Sequence, residues 1–516
     1  MLERSNPWQF IARYPFAFFI AVVLLLPLAV PCARAATPCH GLIALMLPDT
    51  NITSAEEVPA GPFKVQGFTG STNVIVPAFC RVTATIRAAQ DSEINFELWM
   101  PASTWNHRFE GVGNGGLGGM IGTQAMAAAV REGYATASTD TGHTGGPATG
   151  QWALGHPEKV IDFGYRAVHE MTLRAKSLIS SYYGKGAAHS YWNGCSEGGG
   201  QGLSEAQRFP TDYDGIVAGA PANNFVHLQA GGNWISQAIH EDPATFIAPA
   251  KLPAITAAVL AQCDAADGVK DGVLEDPRTC KFDPSTLLCK GDESDTCLTA
   301  PQIDGLRKIY DGARNPRTGE QIFPGTMRGG EAGWGFWIAG TDAPPRNLQH
   351  AIMIAFFDDL VYENPNWDWR TFNFDKDVSG ADAKVGAALN QINPNLSAFK
   401  RHGGKLIQYH GWNDPAISPL NSIDYFESVQ KKMGVTTDFY RLFMVPGMEH
   451  CTAGPGVYDF DRMSAIVDWV EDGHAPDQII ASRPARTRPL CPYPQAAKYG
   501  GSGSTDLALN FSCAAP

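Results

Sequence analysis

The pentapeptide Gly194-Cys195-Ser196-Glu197-Gly198 and the dipeptide His450-Cys451 constrain this chain more than any other feature, because each residue suited to chemistry has a cysteine as its neighbour. A disulfide between Cys195 and Cys451 would hold their Cα atoms within roughly 4.4 to 6.8 Å. Ser196 and His450 would then lie side by side however the intervening chain runs. A serine hydroxyl needs a base to take its proton, and an imidazole is such a base. Gly-x-Ser-x-Gly is also the nucleophile-elbow pattern, in which serine sits on a tight turn between a strand and a helix and the glycines admit close backbone approach.

The first 35 residues stand apart from the rest. Arg4 and Arg13 precede an apolar run from Ala17 to Val30, followed by Ala33-Arg34-Ala35, a small-residue cleavage pattern. The run is shorter than the roughly 20 residues that span a bilayer. Residues 1–35 therefore read as a signal peptide cut after Ala35, and the mature chain as secreted or periplasmic, without stable membrane association. A formal net charge of -13 with no basic tract makes nucleic acid and anionic membranes poor partners. Of the 11 cysteines only Cys32 falls in the leader, and the even number left after export suggests a disulfide framework. Connectivity does not follow from sequence in general. Cys263 with Cys280, Cys289 with Cys297, and Cys491 with Cys513 are plausible local closures, leaving Cys39 with Cys80 and Cys195 with Cys451.

At 516 residues the chain has room for two or three domains. From Ala36 to about Ala222, strand-like runs alternate with helical stretches, which favours an α/β sheet. Ser190 to Asn193 reads as the strand entering the elbow, Gln201 to Arg208 as the helix leaving it, and Asp214 to Pro221 as the next buried strand. The pattern resumes after about residue 395, where Lys405–Tyr409 runs into His410-Gly-Trp-Asn-Asp414 and Phe439–Val445 runs into Pro446-Gly-Met-Glu-His450. Ligands of open α/β sheets bind beyond the carboxyl ends of the strands, so Ser196, Asp414 and His450 should converge on one edge. Residues 223–394 break the alternation and carry the aromatic cluster Trp334, Phe336, Trp337, Phe356, Phe357, Trp367 and Trp369. They read as a lid inserted into a catalytic domain made of residues 36–222 and 395–516.

Ser196, then Asp414, then His450 is the chain order of a nucleophile, acid and base in α/β-hydrolases. The carboxylate would hold the imidazole tautomer and stabilise the imidazolium. Asp140 and His143 are rivals, but they precede the serine and read as structural or pocket-lining. The backbone N–H of Glu197 and one from Gly113-Asn-Gly-Gly116, with Gly116 favoured, would form an oxyanion hole. In the segment from Cys263 to Val273, the carboxylates of Asp264, Asp267 and Asp271 and the carbonyls of Val269 and Val273 offer hard oxygen ligands suited to Ca²⁺. It is not an EF-hand, and without histidine or thiolate it does not suit zinc.

Taken together, Cys195-Ser-Glu-Gly-Gly199, His410-Gly-Trp-Asn-Asp-Pro415, Val445-Pro-Gly-Met-Glu-His-Cys451, the calcium loop and Arg488-Pro-Leu-Cys-Pro-Tyr-Pro494 resemble the tannase and feruloyl esterase family. The resemblance spans essentially the whole chain after the leader. It implies an α/β-hydrolase fold with a large lid, Ca²⁺ bound in that lid, no organic cofactor, and hydrolysis of small esters of aromatic acids such as ferulic or gallic acid, with terephthalate monoesters as an alternative. It further implies an acyl-enzyme on Ser196, and the five cysteine pairs above match the family's pairing. The lid matches only loosely, so the specificity residues do not carry over. Trp337 is a candidate for stacking on the acyl group. Arg346 is a candidate for pairing with a substrate carboxylate, beside the plain reading of a solvated surface arginine.

Overall fold

The computed structural model describes residues 36–67, 70–340 and 346–515; the leader read over residues 1–35 lies outside the described residues. The architecture is an α/β-hydrolase fold built on a nine-stranded sheet. In chain order its strands are β1 (Thr50–Val58), β2 (Phe79–Ile86), β3 (Ile94–Pro101), β4 (Arg108–Val112), β5 (Ala135–Thr139), β6 (His189–Cys195), β7 (Gly215–Gly219), β8 (Lys405–Gly411) and β9 (Tyr440–Val445). They lie in the order β1-β2-β3-β5-β4-β6-β7-β8-β9. The first three pair antiparallel with each other and with β5, and every pairing from β5 to β9 is parallel.

The parallel strands are apolar runs because both faces are covered. On β8, Leu406 packs with Ile216, Leu442, Phe426 and Val429, while the next residue, Ile407, packs with Val217, Phe443, Ile466 and Trp469 on the opposite face. This is the two-residue period of a strand. Helices α1 (Thr123–Arg131), α2 (Ala167–Tyr183) and α3 (Glu197–Arg208) follow β4, β5 and β6. The alternation expected from Ala36 onward begins only at β4. Residues 50–101 form successive antiparallel strands instead, with a side hairpin of Gly61–Gly67 and Gly70–Val76. Thr50, Thr53 and Ser54 break up the apolar run of the half-exposed edge strand β1, while β2 and β3 are largely buried.

Between β7 and β8 lie α4 (Phe225–His240), α5 (Leu252–Cys263), α6 (Ala300–Asp311) and α7 (Leu348–Ala355), and no described residue there joins the large sheet. This stretch packs in two cores, the first shared with Leu117, Phe163, Ala416 and Ile417 of the sheet domain. One contains Phe225, Met353, Phe356, Phe357, Trp369 and Phe372, and another Ile239, Ile255, Val259, Leu306, Ile309 and Trp334. Most of the aromatic cluster is therefore core, whereas Phe336 is exposed and Trp337 half-buried. After β8 and β9 come α8 (Pro419–Met433) and α9 (Arg462–Glu471). Disulfides join Cys39 to Cys80, Cys195 to Cys451, Cys263 to Cys280, Cys289 to Cys297 and Cys491 to Cys513. Such bonds persist in oxidising compartments.

Candidate active site

β6 delivers Ser196 at its carboxyl end, and the serine adopts φ 65° and ψ −123°, a backbone region nearly closed to side chains. That strain costs on the order of 1–3 kcal/mol. It is held by the Ser196 N–H donating to the Gly219 carbonyl at 2.9 Å and the Ala222 N–H donating to the Ser196 carbonyl at 3.0 Å. The flanking glycines are required sterically. A Cβ on Gly194 would enter the Gly198 backbone, and one on Gly199 the Gly219 carbonyl.

The loops after β8 and β9 bring in the other two groups. His450 Nε2 lies 2.9 Å from Ser196 Oγ, and its Nδ1 lies 2.8 Å from Asp414 Oδ2. With Nδ1 facing a carboxylate, the ring proton belongs there and the Nε2 lone pair is aimed at the serine hydroxyl. Cys195 and Cys451 hold this pair together with a Cα separation of 6.0 Å. Asp414 is buried, and its Oδ1 accepts the N–H groups of Ala416 at 2.8 Å and Ile417 at 3.0 Å. Burial alone would push this carboxyl up, but the neighbouring His450 and the hydrogen bonds from both histidines hold it well below the usual carboxylate range.

The second histidine, His410, was not singled out as a functional residue by the sequence, although it ends a strand four residues before Asp414. It is fully buried; its Nε2 lies 3.1 Å from Asp414 Oδ2 and 3.0 Å from the Ile417 carbonyl. Facing two acceptors, Nε2 carries the proton, and Nδ1 accepts from the Ser422 hydroxyl at 2.7 Å. Asp414 Oδ2 is thus shared by two imidazoles.

The oxyanion loop follows β4. The Gly198 N–H donates to the Asn114 carbonyl at 3.0 Å, tying the loop to the elbow, while Gly115 and Gly116 line the same cavity as Ser196 and Glu197. Gly116 has φ 58°, and a Cβ there would strike Pro147. Among the described residues no acceptor engages the N–H of Glu197, Gly115 or Gly116. Asp140 and His143 brace this region from behind. Asp140 accepts from the N–H groups of Asn95 and Gly142, and His143 Nε2 lies 2.8 Å from the Leu117 carbonyl, with neither bonded to Ser196 or His450. Burial pushes His143 down to about 4, so its ring is neutral.

In front of the serine lies a cavity of about 350 Å³. Its walls include Ala222 just before the insertion, Phe225 and Leu228 from its start, Trp337, Leu348 and Ile352 from its later part, and Ala416 and Ile417 beside Asp414. The Trp337 ring meets His450 edge-on at 4.9 Å between centroids, so the sequence placed this residue in the site. Arg346 does not line the cavity. It precedes α7 on the outer side, exposed in a surface depression with Pro249, Phe336 and Ala351, while the helix turns Leu348 and Gln349 inward. The Glu197 side chain is buried with Oε2 unpartnered, and burial pushes its carboxyl up to about 8. Gln229 and Gln349 also line the cavity, and sequence reasoning missed both.

Asp267, Val269, Asp271, Val273 and Glu275 surround a separate small cavity of about 20 Å³, closed on the other side by Arg486 and Arg488. The Asp264 carboxylate faces inward to the loop, accepting the N–H groups of Asp271 and Gly272. Burial raises Asp267 and Asp271, and each is raised further by its acidic neighbours. An oxygen-only donor set of closely spaced like charges fits a hard cation. Arg488 and Arg486 already neutralise part of that charge at Asp271 Oδ2.

An elbow serine, a histidine and an aspartate at successive parallel strand ends, opening on an apolar cavity, define a serine hydrolase of the α/β-hydrolase class. The tannase and feruloyl esterase family model matches residues 80–514, and the chain belongs to that family of carboxylic ester hydrolases. It is 41% identical to an uncharacterized esterase of Xanthomonas campestris, over 93% of this chain and 92% of that protein. With the mono(2-hydroxyethyl) terephthalate hydrolase of Piscinibacter sakaiensis it shares 34% identity over 86% of this chain and 85% of the relative. The crystal structure of feruloyl esterase B from Aspergillus oryzae superposes with a TM-score of 0.83 at 32% identity, covering 91% of this chain and 98% of that one.

Proposed function

We propose that this protein is an exported esterase that cleaves esters of aromatic carboxylic acids, of the feruloyl or galloyl kind, through an acyl-enzyme on Ser196. The observation that carries this reading is the continuous Ser196–His450–Asp414 hydrogen-bond chain facing a cavity walled by Phe225, Trp337, Leu228 and Ile352. Ser196 Oγ attacks the ester carbonyl as His450 Nε2 takes the hydroxyl proton. The carbonyl oxygen becomes an oxyanion that accepts from the N–H groups of Glu197 and Gly116, and losing one such donor typically slows turnover about 10² to 10³-fold. The intermediate collapses with cleavage of the ester C–O bond, and the alcohol leaves with the proton from His450. Water then attacks the acyl carbonyl, His450 takes its proton, and the acid departs as that proton returns to Ser196.

Residues 223–394 act as the lid, since this stretch supplies the apolar wall residues Phe225, Leu228, Trp337, Leu348 and Ile352. In the loop after α5, the carboxylates of Asp264, Asp267 and Asp271 with the Val269 and Val273 carbonyls would hold Ca²⁺. The ion would offset their mutual repulsion and tie the loop to the chain around Arg486 and Arg488; it takes no part in ester cleavage. Export is supported by the five disulfides.

The test is hydrolysis of methyl ferulate, methyl gallate and mono(2-hydroxyethyl) terephthalate by the wild type and Ser196→Ala, with product acids resolved by chromatography. Turnover that vanishes in the variant is expected. If a fluorophosphonate labels Ser196 yet no aromatic ester is cleaved, the serine chemistry stands and the substrate class is wrong.

A further inference from the structure

The cavity has a polar feature that the chemistry of the triad does not use. Phe225, Leu228 and Gln229 occupy positions i, i+3 and i+4 of α4, so they share one helix face, and all three line the cavity. Gln229 is only 4% exposed. Yet among the described residues its amide has no hydrogen-bond partner, and neither amide atom is sealed from the cavity. A buried primary amide without a partner is costly unless something else satisfies it. Across from it stands Gln349 of α7, whose Cγ packs over Gly232 and whose Nε2 donates to the Ala416 carbonyl at 3.3 Å. Gln349 is anchored; Gln229 is available.

Charge narrows the choice of ligand. Among the described residues no lysine or arginine lines the cavity, and its titratable side chains are Glu197 and His450. Nothing charged bears on Glu197, whose upward shift comes from burial alone. A carboxylate on the acyl ring would meet no counter-ion there. A neutral hydroxyl would meet an amide that both donates and accepts.

Resting on the reading of this cavity as an aromatic-ester site, we propose that Gln229 is a specificity-determining residue. Its amide hydrogen-bonds a phenolic hydroxyl on the acyl ring, so the enzyme selects neutral phenolic acyl groups over unsubstituted and over carboxylated ones. A site built to hydrogen-bond a substrate hydroxyl discriminates against the analogue lacking it far more than an apolar slot does.

The experiment measures kcat/KM for methyl p-coumarate, methyl cinnamate and a methyl 4-carboxycinnamate, with wild type, Gln229→Leu and the near-isosteric Gln229→Met. Wild type should favour the coumarate over the cinnamate by about tenfold, the worth of one net hydrogen bond at the upper end of its usual range, and the carboxylated ester should be the poorest. In both variants the coumarate-to-cinnamate ratio should fall by about that factor, toward one. Unchanged coumarate-to-cinnamate ratios in both variants would overturn the assignment, as would a preference for the carboxylated ester. Cleavage of none of the three esters by a wild type that fluorophosphonate labels would instead overturn the aromatic-ester reading beneath it.

Discussion

Replacing Asp414 by asparagine should lower kcat by roughly 10⁴-fold while leaving the fold intact. The reason is a forced orientation. Asp414 Oδ1 accepts two backbone N–H groups, from Ala416 and Ile417, so an amide nitrogen cannot take that place without setting donor against donor. The asparagine must therefore keep its oxygen toward the backbone and turn Nδ2 toward His450 Nδ1 and His410 Nε2. His450 Nδ1 then becomes an acceptor, and the ring proton moves to Nε2, where it points at Ser196 Oγ 2.9 Å away. That tautomer cannot take the serine proton. The corresponding change in an unrelated serine protease costs about 10⁴ in kcat, equivalent to about 5.4 kcal/mol of transition-state stabilisation. The assay is steady-state hydrolysis of methyl ferulate with pre-steady-state measurement of the acyl-enzyme burst, alongside a thermal melt. A folded Asp414→Asn enzyme retaining more than a tenth of wild-type kcat would refute the tautomer reasoning. So would strict multiplicative effects in the Ser196→Ala, Asp414→Asn double variant, since groups that act as a unit do not add.

Glu197 titrates as a stability sensor. Burial lifts its folded-state pKa from 4.5 to about 8, so the folded chain holds a proton that the unfolded chain gives up. Its favourable contribution is full below about pH 4.5 and is lost as pH rises toward about 8. Glu197→Gln should therefore melt with a smaller decline between pH 6 and 9 than the wild type, as read by scanning fluorimetry, and parallel declines would exclude Glu197 as a source of the slope. Removing divalent cations with a chelator should lower the melting temperature, and calcium should restore it. No Ca²⁺ by elemental analysis of the untreated protein, with an unchanged melt, would remove the metal assignment. Cys195→Ala with Cys451→Ala opens a loop with a sequence separation of 256, a loss of roughly 5 kcal/mol if the chain-entropy model holds. The denaturant midpoint should fall, and fluorophosphonate labelling of Ser196 should slow, because its base is no longer tethered; an unchanged midpoint and rate would show that packing alone holds the pair.

The parts of the molecule that the sequence exposed are those where one physical pattern dominates. Strands β6 to β9 are covered on both faces and carry apolar pairs or runs at their centres, and each ends where a polar loop must begin; Ser196, Asp414 and His450 are found there. The misreadings follow from the opposite situation. Edge strand β1 is half-exposed and carries threonine and serine, which blurred its period, while β2 and β3 are largely buried and their antiparallel pairing is not visible in either strand alone. Arg346 drew attention because it is charged, but charge says nothing about which side of a helix start faces a cavity, and it faces outward. Gln229 sits in Phe-Val-His-Leu-Gln-Ala-Gly-Gly, an ordinary apolar helix in sequence. Its significance depends on Phe225 and Leu228 sharing its face and on what stands opposite, neither of which one helix can reveal. His410 is hidden for a related reason, since it falls within the strand and its partner Ser422 lies on α8.

This division has a mechanical consequence. The reacting atoms are set by the carboxyl ends of parallel strands and by one disulfide, elements whose cores pack against helices on both faces of the sheet. The acyl wall is set by α4, the turn bearing Trp337 and α7, which pack mainly in the insertion's own cores. The two packings meet, because Ala416 and Ile417 beside Asp414 share a core with Phe225 and Met353, so substitutions on the inner faces of α4 and α7 should shift preference among esters without moving the triad only where they leave those two residues in place. Trp337 adds a direct contact with the base, its ring lying against His450, beside the Gln349 hydrogen bond to the Ala416 carbonyl. Trimming that ring should couple the effects, altering turnover of every ester along with selectivity, where changes at Gln229 act mainly on the ratio between phenolic and unsubstituted esters.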